Sequence, residues 1–136
     1  VVINKGLGAT PAPAPQPTPV PTDAESKITL GKYFYTSTHD KKKVDFGYVF
    51  NPIYYANHQP DVKAAVGTDP NKLFNHFITY GIGTQKNGEH RQAITSFNPE
   101  AYRKNYPNLE AEYGDNWPDY YEHYCRFGFN EGKKGI

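Results

Sequence analysis

Apolar residues along this chain fall in short clusters separated by proline, glycine and polar turns. The first cluster, Ile28, Leu30, Tyr33, Phe34 and Tyr35, gives way to the polar run His39-Asp40-Lys41-Lys42-Lys43 and then to Val44, Phe46, Tyr48, Val49 and Phe50. Alternation through Val44-Asp45-Phe46-Gly47-Tyr48, with aromatic and β-branched content, is the pattern of half-buried strands. It predicts either a short hairpin within 27–49 or an irregular, aromatic-rich lead-in that packs on helices.

Beyond this point the chain repeats itself with an offset of 47 residues. Phe50-Asn51-Pro52-Ile53-Tyr54-Tyr55 lies over Phe97-Asn98-Pro99-Glu100-Ala101-Tyr102, and the register continues without a gap. Pro60 meets Pro107, Val62 meets Leu109, Gly67 meets Gly114, His76 meets His123, and Gly81 meets Gly128. A period of this length marks stacked supersecondary units, none of which buries its apolar face alone.

The punctuation within each unit is helical. Asn51 and Asn98 are placed to cap helices with proline at the first position, where a missing N–H costs nothing. Pro60 and Pro107 break those helices, and second helices run to Gly67 and Gly114. Third helices start at Asp69 or Asn116 and are expected to stop at Gly81 or Gly128 in left-handed conformation. They carry Leu73, Phe74, Phe77 and Tyr80, repeated as Tyr120, Tyr121, Tyr124 and Phe127, a spacing that predicts one apolar face. The expectation is a mainly α fold of two tandem repeats of about 47 residues, each of three short helices. Residues 50–96 form the first repeat, 97–136 the second and 27–49 the lead-in.

These residues resemble a bacterial helical tandem-repeat family with the loose pattern F-[DN]-x-x-Y-Y followed by an asparagine- or tyrosine-proline break, A-x-G, and then H-[FY]-x-x-x-G-x-x-E-G-[RK]. The likeness covers about residues 50–134, from Phe50 through Gly81 and from Phe97 through Lys133. The first unit departs from it by lacking the ending seen at Glu131-Gly132-Lys133, by carrying the polar insert Gly83–Arg91, and by having Gln59 before its proline. Such repeats occur in modular secreted proteins of clostridia and related bacteria. The resemblance implies a small helical fold and a surface or secreted setting, beside cell-wall or glycan-active domains, and brings no catalytic residue.

Composition adds a linker. Six of the 12 prolines alternate from Pro11 to Pro21 among alanine, threonine, glutamine and valine. Proline fixes φ and removes a donor, so this stretch is expected to be a disordered, polyproline-II-like spacer of roughly 35 Å. Residues 1–26 are therefore assigned to a linker and 27–136 to the folded module. Spacers of this kind join modules of secreted Gram-positive proteins, which points to an extracellular fragment of a larger protein. With 15 basic and 14 acidic residues, no charge excess favours nucleic acid. No apolar run approaches the roughly 20 residues that cross a bilayer, so membrane insertion is not expected.

Candidate chemistry is sparse. His76 and His123 are a matched pair and read as packed structural rings, each with one backbone hydrogen bond. Cys125 aligns with Ile78 and reads as a small buried hydrophobe. Glu110, Glu112 and Glu122 read as a solvated face, and Lys41–Lys43 as a soluble turn tip. No ligand cluster with zinc spacing and no EF-hand continuation appears, so neither metal nor cofactor is expected, and no acid–base pair or nucleophile marks an enzyme.

Three rings at helix starts or kinks lack a counterpart in the other repeat: Tyr54 lies opposite Ala101, Tyr106 opposite Gln59, and Trp117 opposite Pro70. Sugar rings stack on such side chains while neighbouring amides and carboxylates hold their hydroxyls. Trp117, Tyr106 and Tyr54, with Asn116 and Asp119, are accordingly the candidate ligand-binding residues. The competing possibility is that Trp117 simply packs over the seam between repeats. The functional expectation is a noncatalytic module that binds polysaccharide or cell-wall glycan. The alternative is a protein-interaction or spacer module contacting neighbouring domains.

Overall fold

The computed structural model describes residues 23–85 and 88–136, so the proline-rich stretch lies outside the described residues except for its last four. Those four form a single helical turn, α1 (Asp23–Ser26), which packs on the first repeat. Glu25 is buried there, accepting hydrogen bonds from Asn57 Nδ2 at 2.7 Å and His58 Nε2 at 3.0 Å. The Asn51 amide donates to the carbonyls of Ala24 and Lys27. The folded module thus reaches back at least to the turn that starts at Asp23, four residues before the boundary that composition suggested.

The lead-in is a hairpin. Strands β1 (Phe34–Thr36) and β2 (Lys43–Asp45) pair antiparallel, with Tyr35 opposite Val44. Lys41, at φ 64°, turns the chain between them. Tyr33, Tyr35, Val44, Phe46 and Val49 are all buried, so 27–49 belongs to the domain.

The two repeats follow in matching registers. Repeat 1 consists of α2 (Pro52–His58), α3 (Pro60–Val66) and α4 (Pro70–His76), ending in a wide π turn, Phe77–Gly81. Repeat 2 consists of α5 (Pro99–Asn105), α6 (Pro107–Tyr113) and α7 (Trp117–His123), ending in the π turn Tyr124–Gly128. Each helix has seven residues and proline at its first or second position. Asn51 accepts from the backbone N–H of Tyr54, and Asn98 from those of Glu100 and Ala101, as side-chain caps do. Asp69 caps α4 likewise, but Asn116 does not cap α7, because its amide is drawn to Asp119 Oδ2 at 2.6 Å.

Two expectations about the third helix are corrected by its π ending. An i→i+5 turn takes one residue more than an α turn, so the apolar face is displaced at its last position. Tyr80 and Phe127 therefore emerge at 50% exposure each, while Leu73, Phe77, Tyr120, Tyr121 and Tyr124 stay buried. Gly81 and Gly128 are likewise absent from the left-handed glycines, which include Gly83 and Gly132. They are required because a Cβ at Gly81 would stand 2.7 Å from the Tyr55 hydroxyl, and one at Gly128 closer still to that of Tyr102.

The core is one aromatic cluster shared by both repeats and the hairpin. Tyr121 is its hinge point: its ring meets Phe77 at 5.5 Å and Phe97 at 5.4 Å, and its hydroxyl donates to the carbonyl of Arg91 at 2.6 Å. Phe46 reaches from the hairpin to both Phe77 and Tyr121.

Candidate functional site

Each repeat builds the same polar unit at the exit of its third helix. The Tyr55 hydroxyl and His76 Nδ1 are hydrogen-bonded at 2.8 Å, and Tyr102 and His123 repeat this at 2.8 Å. The predicted backbone partner is thus replaced by a tyrosine hydroxyl. Burial pushes both imidazoles below the ordinary histidine range, so they are neutral at neutral pH. Next to each imidazole stands the exposed ring of the π turn: Tyr80 lies 5.3 Å from His76, and Phe127 lies 5.6 Å from His123.

The surface around these rings differs sharply between the repeats. In repeat 1, Val66, Lys72, Asn75, His76, Thr79 and Tyr80 line an open groove of about 410 Å³. A second depression of about 410 Å³ lies beside the same His76 and Tyr80, bordered by Asp61, Gln85 and Arg91. In repeat 2 the equivalent groove, lined by Tyr113, Asp119, Glu122, His123, Arg126 and Phe127, shrinks to about 70 Å³. Its filling has two sources. Tyr113 replaces the smaller Val66, and the hairpin turn inserts His39.

That insertion is held by charge. His39 Nε2 meets Asp119 Oδ1 at 2.6 Å, Ser37 Oγ donates to Glu122 Oε2 at 2.9 Å, and Arg126 bridges Glu122 and Asp40 at 3.0 and 2.8 Å. The Asp119 carboxylate raises the His39 pKa, and the Arg126 guanidinium lowers that of Asp40 to about 2. Glu122 is buried in this network, which corrects its assignment to a solvated face. His39, Asp119 and Glu122 place one ligand atom each within 4.8 Å of one another, a grouping invisible in the sequence because His39 is 80 residues from Asp119. All three are engaged in the turn's own hydrogen bonds, with the Arg126 cation already on Glu122.

The rings singled out by repeat comparison are not brought together, and each already has a stacking or cationic partner. Trp117 is half-buried at the seam between repeats, stacked on His90 at 3.7 Å and 8°, with the Arg103 guanidinium 5.1 Å from its centroid. Tyr54 is buried and stacked on His58 at 4.0 Å. Tyr106 has the Lys133 ammonium 4.7 Å over its ring, and its hydroxyl accepts from the backbone N–H of Lys134. Asn116 and Asp119 are bonded to each other, and Asp119 also to His39. Trp117, Tyr106, Asn116 and Asp119 make their contacts within the second repeat, the insert before it and the hairpin turn, whereas Tyr54 packs in the first repeat on the His58 that pairs with Glu25.

The ring left with room beside it is Tyr80, which sequence reasoning assigned to the core. The signal that marks it is the π turn, and nothing in the residue spacing distinguishes an i→i+5 turn from an α turn. Cys125 is buried as expected, and burial raises its thiol pKa well above the ordinary value. No family model, curated protein or solved structure matches the chain.

Proposed function

We propose that this domain is a noncatalytic extracellular module that attaches a larger bacterial protein to polysaccharide or cell-wall glycan, and that Tyr80 is its binding platform. The observation that carries this reading is the position of Tyr80. Its half-exposed ring stands between two open depressions whose rims carry an amide at Asn75, a hydroxyl at Thr79, and a second amide at Gln85. Sugars need a ring face for their C–H side and fixed donors and acceptors for their hydroxyls, within a recess of some hundreds of Å³. A buried, strongly protonated thiol and a Glu122 committed to Arg126 and Ser37 favour binding over catalysis.

Sedimentation with insoluble polysaccharides and Gram-positive cell walls tests the reading. The wild-type domain is expected in the pellet, Tyr80→Ala in the supernatant, and Trp117→Ala still in the pellet if it remains folded. No pelleting on any material overturns it.

The second reading, a protein-contact module, is favoured by one observation: in repeat 2 the same groove is filled by a polypeptide turn. Capture of a defined neighbouring domain by wild type, lost in Tyr80→Ala, together with indifference to glycans, is its signature.

A further inference from the structure

The two grooves are equivalent residue by residue, and one of them shows what such a groove holds. Repeat 2 receives a histidine: Asp119 and Glu122 face the His39 turn, and Asp119 Oδ1 lies 2.6 Å from the imidazole Nε2, whose protonated form it favours. At the same positions repeat 1 has Lys72 for Asp119, Asn75 for Glu122 and Thr79 for Arg126. Two carboxylates have become an ammonium and an amide, so the fixed charge at the rim changes from negative to positive. Lys72 enters no ion pair among the described residues. The carboxylates of the adjoining depression, Asp61 and Glu89, are both committed to Arg91, at 2.6 and 2.5 Å. Burial keeps the His76 imidazole neutral, so among the described residues Lys72 is the one unpaired charge lining this groove.

Resting on the glycan reading, we propose that the repeat-1 groove selects a carboxylate-bearing sugar, a uronic acid unit or a sugar with a carboxyl substituent. Its pyranose face lies on Tyr80 and its carboxylate on Lys72. Asn75 and Thr79 supply neutral donors for the flanking hydroxyls. The argument is charge complementarity: a neutral sugar leaves Lys72 without a partner, and an oligosaccharide carrying amines meets a like charge.

The test compares polygalacturonate, its fully methyl-esterified form, a neutral β-mannan and poly-glutamate by affinity electrophoresis. Wild type, Lys72→Ala, Lys72→Glu and Tyr80→Ala are run on each. Lys72 and Tyr80 are exposed, so matched thermal melts confirm that each variant is folded. The expected result is retardation by polygalacturonate that weakens about tenfold in Lys72→Ala, the loss of one charge-assisted contact. Retardation is expected to vanish in Lys72→Glu and Tyr80→Ala, and to fall on esterification and with added salt. Equal retardation by the mannan and the esterified polymer, unchanged in both Lys72 variants, overturns the acidic-sugar assignment while the glycan reading stands. Equal retardation by poly-glutamate overturns it in favour of a carboxylate site indifferent to sugar. Absence of retardation on every polymer, with no pelleting on cell walls, overturns both.

Discussion

At the scale of single residues, the fold depends on close approaches that tolerate no added atom. Gly128 has the Tyr102 hydroxyl against the place a Cβ would occupy, with Tyr124 on its other side. Gly128→Ala is therefore expected to cost about 1–3 kcal/mol, as overpacking does, seen as a lower denaturant midpoint with an unchanged slope. The histidines set an opposed pair of pH effects. His76 and His123 have folded pKa values below the ordinary 6.5, mainly through burial. Arg91, Glu89 and Asp61 face the first, and Glu131, Lys133 and Glu112 the second. Their contribution to stability is complete above about pH 6.5 and is lost as pH falls through the depressed values. His39 is raised by Asp119, so its contribution is present below about pH 6.5 and is lost as pH rises through the folded value. Replacing His39 by Ala removes the opposing effect, so midpoints measured from about pH 7.5 to pH 5 are expected to fall more steeply than in wild type. NMR titration of the rings checks the same signs directly.

At the scale of elements, seven-residue helices are too short to persist on propensity alone, so caps and packing decide them. Asn98→Ala removes a side chain that accepts from two backbone N–H groups and is expected to cost about 1 kcal/mol. Asn116→Ala is expected to cost less, since it uncaps no backbone group and loses only the contact to Asp119. Chemical denaturation of the two variants distinguishes them. The π turns are the elements with functional weight. By spending one extra residue each, they leave Gly81 and Gly128 under the tyrosine hydroxyls and turn Tyr80 and Phe127 outward. The hairpin turn then covers one of these exits, and Gln85, Gly88, Glu89 and Arg91 border the depression beside the other. Gln59, where repeat 2 has Tyr106, binds that insert through Arg91 and the carbonyl of Gln92.

At the scale of the whole molecule, one aromatic core spans both repeats, and Tyr121 joins them. Residues 50–96 alone are expected to stay unfolded, and the complete domain to melt in a single transition by both far- and near-ultraviolet dichroism. Tyr121→Ala is expected to lower stability by about 3–5 kcal/mol, as removal of a large core ring does. Much of this architecture was legible along the chain. Matched Asn-Pro, Pro, Gly, His and aromatic positions 47 residues apart specify local conformations, because caps, proline φ restriction and left-handed glycine act within a few residues of themselves. The helices, their breaks and the tandem repeat follow from such short-range physics. The candidate site does not. The tertiary structure alone decided that the π turns carry Tyr80 to the surface, that His39 closes the second groove, and that Glu25 draws the segment before Lys27 into the domain. Trp117 is unmatched between the repeats, and the His90 ring lying on it comes from an insert that the repeat comparison does not constrain. The outcomes at His39, Glu25 and Trp117 depend on which residues meet across 27 to 86 positions of chain, a relation set by the packing of the assembled core rather than by any local preference.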